Sequence, residues 1–364
     1  MRETLPYRCY LEPEVFAAER ERLFARQWVL VGRDEDVARS GDWRRVEVVS
    51  EQLLLVRGED GLLRAFANTC RHRGAELCPA DGPVSGHAGR VLRCPYHHWT
   101  YGLDGRLRAA PHLDAVPPGI ALHEAAVSVW GGFVFVCLRP DDGSSLADQL
   151  GDTVEHTRNY PLAELRRGAS VTYDVAANWK VIAENYNECY HCGPIHPELC
   201  ELVPAFRRGG GAGLPWDDGI PHREGAWTFT ASGTTTRASF PRLTEEERVR
   251  HKGRLVYPNL LLSLSADHVV SFMLQPRSAG QTTVVCDFLF APDELNSPRF
   301  DPSDAVAFWD VVNRQDWRIG ESVQRGMGSY AASRGWFAPM EDDSADIGRW
   351  YRRAMGDPLA GPED

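Results

Sequence analysis

The chain has 364 residues, of which 43% are hydrophobic, 25% charged and 10% aromatic; this excludes disordered, collagen-like and coiled-coil classes and leaves room for about two domains. Lys and Arg number 40 against 51 Asp and Glu, a net charge of −11 that disfavours nucleic acid and anionic lipid as partners. The nine cysteines, with no export signal ahead of them, read as thiols or metal ligands in a reducing, cytoplasmic setting.

Residues 1–37 predict a helical arm, in which Pro13 suits a first turn and Val15, Phe16, Glu19, Leu23, Phe24 and Trp28 recur at helical spacing. Residues 38–145 change to short apolar runs, VEVV, LLLVRG and WGGFVFVCL, punctuated by Asp60-Gly61 and Asp104-Gly105, which predict an antiparallel β domain. The stretch 125–138 inside it is broken by Ser128 and Gly131-Gly132 and is too short to cross a bilayer. RPDDGSS, 139–145, reads as a linker. From 146 to 364, strand candidates VTYDV, WTFTA, LLLSLS, VVSFML and TTVVCDFLF lie between helical segments at 178–191 and 303–326, an α+β pattern. The Gly-rich insert 209–225 reads as a mobile loop or lid, and GDPLAGPED as a frayed end.

Two constellations carry chemistry. The first is Cys70-x-His72 and Cys94-x-x-His97, one thiolate and one imidazole on each of two β loops. A structural zinc site uses the same donors, and so does a [2Fe–2S] cluster in which two His replace two Cys on one iron. A zinc finger carries its second ligand pair on a helix, whereas here Pro95, aromatics and the Asp104-Gly105 turn surround the ligands in strand-like sequence, which favours iron. His98 lacks the C-x-x-H spacing and reads as a neighbour, and Cys78 as a buried thiol.

The second is NWKVIAENYNECYHCGPIHPEL. On a helix, Trp179, Ile182, Ala183, Tyr186 and Tyr190 share one face and Glu184, Glu188 and His191 the other. His191 and His196 diverge on a continuous helix, but Gly193-Pro194 is expected to end it between them, so both imidazoles can reach one point. Two His require a carboxylate to complete a facial triad. Asp316 falls on the apolar stripe Ala305, Trp309, Val312, Ile319, Val323, where a carboxylate is costly unless metal-bound or paired, for instance with Arg314 or Arg318.

Both constellations together resemble the α subunits of Rieske non-haem iron oxygenases, the ring-hydroxylating family, over roughly residues 20–350. The segments carrying the resemblance are C-x-H with C-x-x-H, E-N-Y-N-E-C-Y-H-x4-H and N-R-Q-D-W-x3-E-S-V-Q-R-G. It implies an antiparallel β Rieske domain plus a helix-grip, START-like catalytic domain. Cys70, His72, Cys94 and His97 would hold one [2Fe–2S] cluster, and His191, His196 and Asp316 one mononuclear Fe(II). Glu188 would carry electrons between subunits of a homotrimer. Glu at that position followed by C-Y-H is most similar to oxygenases of quaternary ammonium compounds: glycine betaine, carnitine, choline and stachydrine. The implied activity uses O2 and electrons from a separate NAD(P)H-dependent flavin/iron–sulfur reductase to hydroxylate an N-methyl carbon of a small betaine-like substrate. Tyr186, Trp227, Phe229, Tyr257 and Trp309 are the aromatic candidates to bind it. The alternatives are hydroxylation of an aromatic or heteroaromatic ring and, outside enzymology, a Rieske electron carrier or a zinc-binding protein.

Overall fold

The structure, a computed structural model, describes residues 2–116, 118–140, 145–207 and 209–356. The expected frayed end from 357 onward and the middle of the linker, 141–144, lie outside these residues. Two compact units divide the chain: Phe24–Leu146, and a larger unit made of Met1–Leu23 with Ala147–Asp364. No helix among the described residues is long and apolar enough to cross a membrane.

The smaller unit starts well before residue 38. The arm helix Pro13–Glu19 continues only through a π turn, Arg20–Phe24, and the chain then straightens into the strand Val29–Arg33. That strand pairs antiparallel with Phe133–Cys137, which assigns residues 24–37 to the β unit rather than to the arm. From this edge a seven-stranded antiparallel sheet runs through Glu124–Trp130, Leu63–Ala67, Glu51–Arg57 and Asp42–Val48 to Ser85–His87. Its first hairpin closes on Gly131-Gly132, both at positive φ (56° and 77°), the backbone a two-residue turn between twisted strands demands. A second sheet, Val91–Arg93, Thr100–Gly102 and Leu107–Ala109, shares with it a core built on Leu54, Val56, Phe66, Leu92, Trp99 and Tyr101.

In the larger unit six antiparallel strands run in the order Arg166–Val175, Gln281–Phe290, His268–Ser278, Leu260–Leu264, Arg250–Val256, Ile220–Pro221. The 25-residue helix Ser303–Met327 is tied to the first two strands: Tyr173 Oη donates to Asp310 Oδ1 at 2.8 Å, and Asn313 Nδ2 reaches Cys286 Sγ at 3.8 Å. WTFTA, expected as a strand, is a turn. Trp227 N donates to Gly233 O, and the hydroxyls of Thr228 and Thr230 bind Asp267 and Thr234 O instead of leaving the backbone to a ladder. The strand Arg250–Val256 escapes an apolar-pattern reading because its charged side chains are paired, Lys252 with Glu247 and Arg254 with Asp217.

One fully buried ion pair knits the arm to the rest of this unit. Lys180 Nζ meets Glu19 Oε1 at 2.5 Å with both side chains 0% exposed. Trp179 Nε1 and Tyr351 Oη also donate to Glu19, so three donors from two helices satisfy its carboxylate.

Candidate metal centres and substrate cavity

The first centre repeats one loop geometry. After Leu63–Ala67, Gly74 N donates to Cys70 O at 3.0 Å and Cys70 N to Ala75 O at 2.8 Å. Between Val91–Arg93 and Thr100–Gly102, His98 N donates to Cys94 O at 3.1 Å and Cys94 N to Trp99 O at 2.9 Å. Each thiol is 2% exposed, and Cys70 Sγ lies 3.2 Å from Tyr101 Oη. The imidazoles of His72 and His97 sit outside the thiols with ring centres 4.7 Å apart, His72 stacked on Trp99. Sulfur inside and imidazole outside is the donor split that a two-iron cluster with unlike irons requires. No helix carries these ligands, unlike a zinc finger. Cys78 stands apart, clasped by the Asn68 amide through both its backbone groups, with burial pushing its thiol up to about 11. His98 is exposed at φ 57°.

The second centre departs from the expected helix. The helix Trp179–Tyr186 begins on Asn178, whose side chain accepts from Lys180 N, and stops at Asn187, well before Gly193-Pro194. Residues 188–191 form a tight turn in which Glu188 Oε2 accepts from the backbone N–H of Tyr190 and His191. Gly193-Pro194 then sit inside a short helix, Cys192–Ile195, which carries the chain from His191 round to His196. Cys189 and Cys192, read as thiols or ligands, are joined as a disulfide because this turn brings their Cα atoms to 4.8 Å. Glu184 does not face solvent: it accepts from Tyr10 Oη at 2.6 Å, and burial pushes its carboxyl up to about 7.

His191, His196 and Asp316 converge. His191 Nε2 lies 3.1 Å from His196 Nε2, and Asp316 Oδ1 lies 2.9 Å from His196 Nε2 and 3.3 Å from His191 Nε2. A metal with bonds of about 2.1 Å holds neighbouring donors about 3 Å apart, so these atoms fit one face of its coordination shell. The opposite ring nitrogens are occupied: His191 Nδ1 by Glu188 Oε1 at 2.5 Å, and His196 Nδ1 by Gln315 Oε1 at 2.7 Å. Gln315 is in turn fixed through its Nε2 to Glu198 at 2.9 Å. Such outer partners fix the tautomer that leaves both Nε2 atoms free to ligate. Burial works against a charged Asp316, but the adjacent His191 and His196 rings more than reverse it and hold the carboxyl below its usual range. Arg314, an alternative partner for Asp316, pairs with Asp310 instead.

The triad opens into a cavity of about 770 Å³. Of the five aromatic candidates, Tyr186, Phe229, Tyr257 and Trp309 line it. Trp227 is not among the lining residues, because the turn that replaces the expected strand ties it to Gly233. The Gly-rich insert contributes Leu214, Pro215, Trp216, Asp217 and Asp218 to the wall. Sequence reasoning missed His251 and the aspartates Asp342, Asp343 and Asp346, which a third helix, Asp342–Met355, brings to the same cavity.

Residues 162–357 match the catalytic domain of ring-hydroxylating α subunits, and residues 27–121 the Rieske [2Fe–2S] domain. The chain is 30% identical to the glycine betaine monooxygenase oxygenase subunit of Chromohalobacter salexigens, over 97% of this chain and 86% of that one. It is 31% identical to the carnitine monooxygenase oxygenase subunit of Escherichia coli K12, over 90% and 84%. The crystal structure of the quaternary ammonium Rieske monooxygenase CntA with L-carnitine superposes with a TM-score of 0.75 at 27% identity, covering 97% of this chain and 96% of that one. A zinc-binding protein and a stand-alone electron carrier are set aside by these matches to both units. The chain belongs to the ring-hydroxylating α subunits and is a Rieske-type oxygenase that binds a [2Fe–2S] cluster and a mononuclear iron.

Proposed function

We propose that this chain is the terminal oxygenase of a multicomponent system that hydroxylates an N-methyl carbon of a betaine-like quaternary ammonium compound, the product collapsing to formaldehyde and the demethylated amine. The observation that carries this reading is the wall around the triad. Tyr186, Phe229, Tyr257 and Trp309 offer aromatic faces, and Asp152, Asp217, Asp218, Asp342, Asp343 and Asp346 outnumber the two arginines, Arg254 and Arg349. Each arginine is already paired, Arg254 with Asp217 and Arg349 with Asp346, both at 3.0 Å. A quaternary ammonium has no hydrogen to donate, so aromatic faces and surrounding negative charge are what bind it. The relatives named above act on glycine betaine and carnitine.

In this reading Cys70, His72, Cys94 and His97 hold the cluster, and His191, His196 and Asp316 the iron. When bound, the iron supplies dioxygen activation and the cluster one-electron storage. The chain's own residues position and shield. Glu188 and Gln315 aim the two imidazoles, and the aromatic wall keeps water from the reacting carbon. Glu188 further serves as the bridge to the cluster histidine of a neighbouring subunit in a cytoplasmic homotrimer, with electrons supplied by a separate flavin/iron–sulfur reductase. Incubating the reduced holoenzyme with glycine betaine, L-carnitine, choline and a set of arenes tests this function. Formaldehyde from a quaternary substrate is expected; hydroxylated arene without formaldehyde from any quaternary substrate overturns it.

A further inference from the structure

The cavity has a second polar pole that the triad does not use. His251 lies on the strand Arg250–Val256, in register with Ile220, and lines the cavity while only 8% exposed. Its ring stands edge-on to Phe229 with centroids 4.3 Å apart, and its Nδ1 is buried without a hydrogen-bond partner. His222 also stands edge-on to Phe229, with centroids 5.2 Å apart and both ring nitrogens buried and unpartnered. Burial, together with the nearby His222 and His268, keeps His251 neutral. With no hydrogen bond at Nδ1, nothing in the wall fixes which ring nitrogen carries the proton.

The other ring nitrogen, Nε2, has room beside it for a ligand. Two residues along the same strand face stands Gly253, which also lines the cavity. A Cβ there would sit 3.3 Å from Tyr186 Oη and 3.9 Å from His251 Nε2, so the missing side chain leaves a gap beside Nε2. Tyr186 Oη gives its proton to Leu262 O at 2.5 Å and cannot offer it to a ligand. The two arginines of the wall are taken by aspartates. His251 is therefore a wall donor without a carboxylate partner, as is Trp309, whose Nε1 is also buried without a partner but lies on the helix that carries Asp316. His251 is set apart from the triad: Phe229 touches both His251 and Trp309, and Trp309 lies seven residues, about 10 Å along the helix, before Asp316.

We propose that His251 receives the anionic end of the substrate through Nε2–H, selecting zwitterions that carry a carboxylate over simple quaternary cations. This rests on the quaternary ammonium reading above. The ammonium end then lies toward the triad and the aromatic faces, and the carboxylate settles over Gly253. A bound anion selects the tautomer with its proton on Nε2.

The test is formaldehyde release by the holoenzyme with its reductase, for wild type, His251→Leu and His251→Gln. L-Carnitine and glycine betaine carry the carboxylate; choline, used as substrate or competitive inhibitor, does not. His251→Leu is expected to raise KM for the two carboxylates roughly tenfold to a hundredfold with kcat unchanged, as for a hydrogen bond to a charged group. The constant for choline should stay put, and His251→Gln, which keeps a donor, should recover much of the loss. An unaltered cluster spectrum and iron content show that the variants fold. Equal changes for choline and the carboxylates, or none, overturn the proposal while leaving the betaine function standing. No formaldehyde from any of the three with wild type overturns both.

Discussion

The two metal centres are assembled by opposite routes. The candidate donors of the first all lie between Cys70 and His97, on two loops of the smaller unit, one following a strand of the seven-stranded sheet and one within the three-stranded sheet, and each loop is locked by its own backbone hydrogen bonds. Those of the second are separated by most of the larger unit: His191 and His196 flank one short helix, and Asp316 sits on another helix docked on the sheet. A locally encoded site needs its loops; a dispersed site needs the whole fold. The same contrast extends to their surroundings, since the first presents its imidazoles at the surface whereas the second buries His196 to 1% exposure.

The sharpest way to break this comparison is to delete one ligand from each centre. Asp316→Ala is expected to abolish mononuclear iron binding and turnover while the visible Rieske spectrum persists; Cys94→Ala should erase that spectrum, and Cys78→Ala should leave it. Iron per protein and the absorption spectrum read both, and an active, iron-replete Asp316→Ala protein would falsify the triad. A smaller effect is expected at Glu188, whose carboxylate holds His191 Nδ1. Glu188→Gln should keep both metals yet slow turnover roughly tenfold to a hundredfold, with the cluster remaining reduced in the presence of substrate and oxygen. Normal turnover in stopped-flow reoxidation would remove Glu188 from the electron path.

The smallest effect distinguishes the units by pH. Glu184, in the larger unit, is pushed from the ordinary 4.5 to about 7 by burial. A carboxyl raised in the folded state contributes fully below 4.5 and loses that contribution as pH rises through 7. Glu184→Gln should therefore stabilise the larger unit by roughly 1–3 kcal/mol at pH 8 and do little at pH 4.5. Calorimetric melts at the two pH values check this; a gain of the same size at both would show that packing, not charge, is responsible.

The candidate donors of the first centre are legible in the sequence because they lie close together along the chain at fixed spacing. The sequence picks out the three side chains that converge at the second, but misplaces the bend: the helix ends at Asn187 because the Glu188 carboxylate captures the next backbone N–H groups, a side-chain contest that periodicity does not register. Trp227 looked like a pocket aromatic because WTFTA alternates like a strand, yet its threonine hydroxyls fold it into a turn. His251 gave no signal, since its strand reads as charged and only pairing with Leu260–Leu264 and Ile220–Pro221 turns it inward. The helix Asp342–Met355 escaped for a related reason: beside Ile347 and Tyr351 its buried face is made of small residues, Ser344, Ala345 and Gly348, and a Cβ added to the last would sit 3.7 Å from Leu5 Cγ.

The order in which these pieces are synthesised matters as well. By the time residue 146 has left the ribosome, every strand of the inserted β unit exists, whereas the larger unit is represented by its first 23 residues. Glu19 is among them, and its partners Lys180 and Tyr351 are still to come, the latter almost at the end of the chain. The ion pair can close once Lys180 is made, but the carboxylate gains its third donor only with the helix Asp342–Met355, so full satisfaction of Glu19 comes long after every strand of the β unit exists.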